Sequence, residues 1–220
     1  TDISQVTFAP GSGTLLSNYI IPTSASGAIG ELTPKALTVT LTGTASKAYD
    51  GLLTVSLASS NYLLAGVGSG DSLTVNQSQG TLASKDVGSN ISVKATLAPA
   101  NFVAGSGTLL SNYTLPSVQL SSDIGAISPK TLTASLIGTT SRVYDGSPNA
   151  TLTSQNFSLS GLAVGEQLTV TQTQGLYVNK NVGTQISVST ELSPSNFQAA
   201  SGTVVSNYTL PTAAAGGIGV

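Results

Sequence analysis

Apolar and polar residues alternate along several short stretches of this chain. These stretches are residues 37–41, 73–75 and 91–93, and then 132–136, 168–170 and 186–188. A period of two with many β-branched residues is typical of strands that bury one face. No stretch of a dozen residues combines a 3.6-residue apolar period with capping residues, so we expect little helix beyond one short turn near residues 195–197. The pattern therefore predicts an all-β fold.

Turn-forming residues separate these stretches and mark where the sheets should end. Segments rich in Gly, Asn and Asp lie between the predicted strands, at residues 65–71, 86–90 and 181–183 among others. Two longer segments, Pro22 to Pro34 and Pro116 to Pro129, are bounded by proline. Because proline has no N–H to donate to a sheet, we interpret both segments as linkers.

The chain also repeats itself with a shift of 95 residues, since Pro34–Gly51 returns as Pro129–Gly146. A second motif occurs three times, as Phe8–Tyr19, Phe102–Tyr113 and Phe197–Tyr208. A repeat of this length is large enough for its own hydrophobic core and exceeds the unit of a solenoid. We therefore divide the chain into residues 1–30, the tail of a preceding repeat plus linker; 31–125, a first full repeat; and 126–220, a second.

Composition narrows the range of partners. The 220 residues include 7 Lys and Arg and 9 Asp and Glu, for a net charge of −2, which leaves no basic patch for nucleic acid. No apolar stretch is long enough to enter a membrane as a spanning helix. Zero Cys excludes disulfides and thiolate metal sites. Neighbouring repeats of the same chain are the partners that the pattern favours.

Tyr49-Asp50-Gly51 and Tyr144-Asp145-Gly146 form the sharpest local motif, and each is preceded by a basic residue. Gly accepts a positive φ, Asp bonds to nearby N–H groups and Tyr buries its ring, so we interpret the motif as a structural turn. The alternative is a glycan contact, in which Tyr144 stacks on a sugar ring and Asp145 accepts a hydroxyl hydrogen bond.

The second anchor is an Asn-Tyr pair, found at Asn18-Tyr19, Asn112-Tyr113 and Asn207-Tyr208. It resembles the tyrosine corner of immunoglobulin-like sandwiches, in which the hydroxyl bonds to backbone a few residues upstream. Other aromatic residues at matching positions are expected in the core: Phe8, Tyr62, Phe102, Phe157 and Phe197.

The recurring carboxylates give weak evidence for a metal site. Asp50 and Asp145 match in register, as do Asp71 and Glu166. A calcium site needs about six oxygen ligands, and no run of closely spaced carboxylates supplies them, so Asp50 and Asp145 are weak candidates only. With no His, no Cys and no paired-carboxylate pattern, we expect neither a cofactor nor an enzyme.

Taken in order, the motifs resemble a known family. They are Pro-Lys-x-Leu-Thr, basic-x-Tyr-Asp-Gly, Val-Gly-Glu-Gln-Leu-Thr-Val, Lys180-Asn181-Val182-Gly183 and Ser206-Asn207-Tyr208-Thr209-Leu210. This set resembles the YDG-type repeats, related to MBG modules, of large bacterial surface adhesins and filamentous-haemagglutinin-like exoproteins. The first repeat departs from the second at Asp71, which replaces Glu166, and at Asp86, which replaces Asn181.

The resemblance implies tandem β-rich modules, immunoglobulin-like or β-grasp-like, arranged as an extended rod on the bacterial cell surface. The leading hypothesis is a stalk that projects an adhesive tip and supports adhesion to cells or to a biofilm matrix. A second hypothesis is weak, multivalent binding of extracellular polysaccharide or host glycan by the repeats themselves. A third is association between adhesin molecules through strand edges that few charges protect.

Overall fold

A computed structural model describes residues 8–220, so the first seven residues of the predicted tail lie outside the described residues. The chain divides into residues 1–34 and residues 35–220. In the described part of the first unit, a 3₁₀ turn at Leu16–Asn18 is closed by the N–H of Asn18, which donates to the Leu15 carbonyl at 3.1 Å. Tyr19 follows this turn with its side chain mostly exposed. Within residues 8–220 no helix is long and apolar enough to cross a membrane.

The second unit begins with the first repeat, which is built from short strands. They are β1 Lys35–Ala36, β2 Thr38–Leu41, β3 Ala45–Ala48, β4 Thr54–Ser56, β5 Tyr62–Ala65, β6 Leu73–Val75, β7 Gln79–Leu82, β8 Gly88–Leu97, β9 Phe102–Ala104, β10 Tyr113–Thr114 and β11 Val118–Ser128. The main sheet has the order β3-β11-β8-β7-β4, and the pairs β2-β5, β6-β9 and β1-β10 stand outside it. Alternating buried and exposed residues along β2 and β7 show the one-sided burial that the sequence predicts.

The second repeat has nearly the same pairing. Its strands are β12 Lys130–Thr131, β13 Thr133–Leu136, β14 Asn149–Thr151, β15 Phe157–Ser160, β16 Leu168–Val170, β17 Gln174–Tyr177, β18 Ile186–Glu191, β19 Phe197–Ala199, β20 Tyr208–Thr209 and β21 Ala213–Gly219. The main sheet has the order β14-β17-β18-β21, with β13-β15, β16-β19 and β12-β20 as separate pairs. The predicted all-β fold of tandem β-rich modules is confirmed.

Helical structure in residues 8–220 is limited to three-residue 3₁₀ turns. After Leu16–Asn18 these are Ser59–Asn61, Pro99–Asn101, Leu110–Asn112, Ser154–Asn156, Pro194–Asn196 and Val205–Asn207. The turn expected near residues 195–197 is the one at Pro194–Asn196. In four of the seven turns the last Asn turns back, so that its amide oxygen accepts the N–H three residues earlier, as Asn61 does from Ala58 at 2.9 Å. The local hydrogen bond explains why Asn ends these turns.

The segment Pro116–Pro129 is not a linker. Residues Val118–Ser128 form β11, the longest strand described, which pairs antiparallel with β8 and parallel with β3. The prolines bracket the strand because each lies where the ladder ends, which is where a residue without an N–H is tolerated. The division proposed between residues 125 and 126 therefore falls inside a strand of the first repeat's sheet.

Strand β11 brings the Tyr-Asp-Gly turn to the end of the first repeat. Gly125–Ser128 pair with Ala45–Ala48, and the N–H of Tyr49 donates to the Ser128 carbonyl at 2.9 Å. Residue 128 is followed at once by Pro129 and by β12 of the second repeat. Tyr49 is thus fixed at the point where the chain passes from one repeat into the next.

The core of the first repeat continues into the second at this point. Val93 and Leu97 lie at its centre with no exposed surface, and the same contiguous apolar cluster extends through Tyr49 to Leu132 and Tyr208. The second repeat has a further core of its own, in which Val188 is fully buried. Burial of apolar surface therefore stabilises the boundary between the repeats as well as each interior.

Candidate functional site

The first Tyr-Asp-Gly motif is a turn held by its own charged residues. The Lys47 ammonium donates to Asp50 Oδ1 at 2.6 Å and to the carbonyls of Leu52 and Thr54 at 2.7 and 2.8 Å. Asp50 also accepts the Leu52 N–H at 2.9 Å, and Gly51 takes a φ of +79° that favours glycine. Burial opposes ionisation of Asp50, but the bonds from Lys47 and Leu52 outweigh it and hold the pKa of Asp50 below its usual value.

The second motif makes the same turn with Arg in place of Lys. Arg142 donates to Asp145 Oδ2 and to Ser147 Oγ, both at 2.8 Å, and also to the Ser147 carbonyl. The Ser147 N–H donates to Asp145 Oδ1 at 2.8 Å, and this bond leads the interactions that lower the pKa of Asp145. Gly146 has a φ of +82°. The turn conformation is therefore intrinsic to the motif in both repeats.

The two tyrosines of the motif have opposite surroundings. Tyr49 is 1% exposed and reaches into the second repeat, where its hydroxyl donates to Glu166. Its ring also meets the ring of Tyr208 edge-on, with 5.4 Å between centroids and 83° between planes. Tyr144 is 57% exposed. The same motif thus buries its tyrosine in one repeat and exposes it in the other.

Glu166 is the centre of this contact. Its side chain is 7% exposed, and one carboxylate oxygen accepts from Tyr49 while the other accepts from the Tyr208 hydroxyl at 2.7 Å. The Tyr208 hydroxyl in turn accepts the Ala163 N–H at 2.9 Å, and the Lys85 ammonium lies 3.8 Å from Glu166 Oε1. A buried carboxylate is stable only with such partners, because its desolvation is costly.

Burial and the carboxylate raise the pKa of both tyrosines. For Tyr49, burial is the larger cause and the hydrogen bond to Glu166 adds to it, so that its pKa rises to about 12. For Tyr208, burial again is the largest cause; the Ala163 N–H lowers the pKa, and the hydrogen bond to Glu166 raises it, so the pKa is raised overall. Both hydroxyls therefore keep their protons well above neutral pH and act as donors to Glu166.

The Asn-Tyr motif supplies further hydrogen bonds across the boundary between the repeats. The Asn207 amide donates to Asp86 Oδ1 at 2.9 Å, and its oxygen accepts the Val87 N–H at 2.9 Å. Asn207 is 1% exposed, whereas the equivalent Asn112 is exposed. We call the contributing surface of the first repeat its docking face (Tyr49, Lys85, Asp86, Val87) and that of the second its receiving face (Ala163, Glu166, Asn207, Tyr208).

The tyrosine-corner prediction is wrong in its hydrogen bonds. The hydroxyls of Tyr113 and Tyr208 accept backbone N–H groups 45 residues upstream, from Gly68 and Ala163, each at 2.9 Å. They then donate to the nearby carboxylates, as Tyr113 does to Asp71. The partners lie on a distant loop because each repeat folds this loop against the end of the chain segment that carries the Asn-Tyr pair. The third copy, Tyr19, is mostly exposed.

Asp50 and Asp145, the weak metal candidates, each bond to a basic side chain and to a backbone N–H. Within residues 8–220 no group of three or more His, Cys, Asp or Glu is placed to hold a metal ion. Asp145 and Tyr144, the glycan candidates, lie together at an exposed surface of the second repeat.

Sequence reasoning did not identify Glu166, Lys85 and Asp86 as junction residues. The sequence identifies Glu166 only as the counterpart of Asp71, and Asp86 only as a departure from the family pattern. A usable signal was present, because a chain with only 7 Lys and Arg keeps Lys85 and Lys180 in register. A charge retained at matching positions in so neutral a chain points to a specific contact.

Replacing Tyr49 with Ala should destabilise residues 35–220 by about 3 kcal/mol, since it removes a fully buried aromatic ring and a donor to Glu166. Tyr144→Ala is the matched control, and it should cost less than about 0.5 kcal/mol because this ring is mostly exposed. Urea unfolding followed by circular dichroism measures both. Equal losses of stability in the two variants would contradict the assigned contact.

The junction should weaken at alkaline pH. The unfolded chain releases the tyrosine proton near pH 10, whereas folded Tyr49 keeps it to a pKa of about 12. The stability that Tyr49 contributes is thus fully present below about pH 10 and is lost as pH rises toward 12. Urea midpoints measured at rising pH should fall less steeply in Tyr49→Phe than in the wild type. The same slope in both proteins would show that ionisation of Tyr49 is not involved.

Comparison with known proteins agrees with this architecture. The family model of the YDG domain matches the chain twice, at residues 33–120 and 128–215. No curated protein and no solved structure matches this chain. Each matched segment contains one Tyr-Asp-Gly turn, one receiving carboxylate and one Asn-Tyr pair, the parts from which the junction is made. The chain belongs to the YDG domain family and carries two copies of that domain in tandem.

Proposed function

We propose that these repeats form a structural stalk in a secreted bacterial adhesin, projecting an adhesive tip from the cell surface into its surroundings or into a biofilm matrix. The observation that carries the proposal is the junction, in which Tyr49 and Glu166 join two repeats through a buried hydrogen bond. The role is mechanical and not catalytic. It requires that neighbouring repeats hold a fixed orientation.

Three features of the junction support a fixed orientation. The ring of Tyr49 is enclosed. The Asn207 side-chain amide makes two hydrogen bonds to the turn at Asp86 and Val87. Only Pro129 separates β11 of the first repeat from β12 of the second. Directional bonds at separate points of one interface resist rotation as well as separation. A boundary of this kind is stiffer than a flexible linker.

Repetition supports an array. Each repeat carries both a docking face and a receiving face, because Tyr144 and Lys180 match Tyr49 and Lys85, while Asp71 matches Glu166. A repeat with two complementary ends can be added in series without any new kind of contact. This is the property that a stalk of variable length needs.

The glycan alternative has narrower support. Tyr49 is enclosed by protein and has no ring face left for a sugar, so the proposal depends on Tyr144 and Asp145 alone. A second concave surface of about 680 Å³ lies over β14, β17 and β18 and is lined by polar residues such as Gln172, Gln174 and Glu191. It contains no aromatic side chain on which a sugar could stack.

A spin-label distance measurement tests the fixed orientation. Ser60 and Gln155 are exposed and equivalent in the two repeats, and the chain has no Cys of its own, so Ser60→Cys with Gln155→Cys gives one labelled pair. We expect a single narrow distance distribution. Adding Tyr49→Ala with Asn207→Ala should broaden it, since the hydrogen bonds that both residues make across the junction are then lost.

Tyr144→Ala in the same labelled protein is the control and should leave the distribution narrow. A broad distribution in the protein with an intact junction would contradict the stalk proposal. Circular dichroism of each variant separates loss of orientation from loss of folding.

A further inference from the structure

Each of the two repeats uses one of its two faces in the internal junction. The docking face of the first repeat meets the receiving face of the second. The second repeat has an equivalent docking face and the first repeat an equivalent receiving face, neither of which takes part in that contact. The docking residues are Tyr144, Lys180, Asn181 and Val182, and the receiving residues are Gly68, Asp71, Asn112 and Tyr113.

The turn of the free docking face matches that of the occupied one, although strand β3, which precedes the occupied turn, is reduced to a single bridge between Thr140 and Gly219 before the free turn. The turn at Gly146 has nearly the φ of the turn at Gly51, and Arg142 holds it as Lys47 holds the other. Val182 is 89% exposed, whereas the equivalent Val87 packs against the buried cluster. A cavity of about 160 Å³ lies here and is lined by Tyr144, Lys180, Asn181 and Val182 among others. Its lining corresponds to the surface on which Asn207 is seated in the internal junction.

The free receiving face is likewise formed in advance. The Tyr113 hydroxyl accepts the Gly68 N–H at 2.9 Å and donates to Asp71, which repeats the bonds of Tyr208 with Ala163 and Glu166. Asn112 is exposed, so its amide is accessible for hydrogen bonds like those of Asn207. One difference is that Asp71 is a methylene shorter than Glu166, and its Oδ1 accepts from Thr108 at 3.3 Å.

We propose that these two faces bind each other between copies of this chain, head to tail. Tyr144 of one copy enters the site of Asp71 and Tyr113 on a second copy. The Asn112 amide of the second copy then forms hydrogen bonds with Asn181 and Val182 of the first. The chemistry is complementary, because a phenol meets a carboxylate, an ammonium from Lys180 approaches that carboxylate, and an amide donor meets the Asn181 carbonyl oxygen. The proposal depends on the internal junction and not on the stalk function.

A contact between two different faces has a distinctive consequence. In a solution of the 220-residue chain, a copy bound through one face still presents the other, so the assembly does not close and grows with concentration. Between separate copies the contact lacks the covalent connection that raises the effective concentration at the internal junction, so it is weaker. Pairing of strand edges, by contrast, would not depend on Tyr144 or Asn112.

Sedimentation velocity over a concentration series, from about 10 µM to about 1 mM, measures this association. We expect the weight-average sedimentation coefficient of the 220-residue chain to rise with concentration. Tyr144→Ala removes the docking residue, and Asn112→Lys replaces the amide that should bind Asn181 and Val182 with a long cation. Both positions are exposed, so both variants should fold and each alone should stay monomeric.

Mixing supplies the sharper test. The Tyr144→Ala chain retains a receiving face and the Asn112→Lys chain retains a docking face, so an equimolar mixture should form dimers and nothing larger. Asp71→Glu restores the longer carboxylate of the internal junction and should tighten association by about tenfold.

Three results would overturn the proposal. They are a monomer at every concentration for both the wild type and Asp71→Glu, association of the wild type that neither single-face variant reduces, and a mixture of the two variants that remains monomeric.

Discussion

A buried carboxylate between two tyrosine hydroxyls is the constraint on which the arrangement of the two repeats depends. Glu166 is removed from water, and both of its oxygens must therefore find donors within the protein. Tyr208 supplies one donor from within the same repeat, and Tyr49 supplies the other from the repeat before it. Apolar packing alone would tolerate several relative orientations, but a carboxylate that needs both donors favours one.

The strand topology makes this constraint reach the interior of the first repeat. Strand β11 passes through the main sheet of that repeat and is followed, after Pro129, by β12 of the second. Within the sheet β11 pairs with β3, which ends at Ala48, immediately before Tyr49. The turn that follows is held by Lys47 and Asp50, so Tyr49 has little freedom to move from its site. Folding of the first repeat and formation of the junction are therefore coupled through one continuous cluster of buried side chains.

The fold class followed from local patterns, and the site did not. Alternation in stretches such as residues 37–41 predicts strands because it depends only on near neighbours. Strand β11 was missed because its flanking prolines resemble linker signals, although they only mark its ends. The bond between Tyr49 and Glu166 joins residues 117 positions apart, and no local pattern reports such a contact. Tyr49 and Tyr144 lie in the same motif, so only the three-dimensional arrangement distinguishes the buried ring from the exposed one.

A double-mutant cycle on Tyr49 and Glu166 tests the central claim most directly. The free energy of unfolding is measured for the wild type, Tyr49→Phe, Glu166→Gln and the double variant. The account predicts a coupling free energy of about 1–3 kcal/mol between the two residues, because they share one buried hydrogen bond. A parallel cycle with Tyr144→Phe should give no coupling to Glu166. Independent, additive effects of Tyr49→Phe and Glu166→Gln would contradict the account.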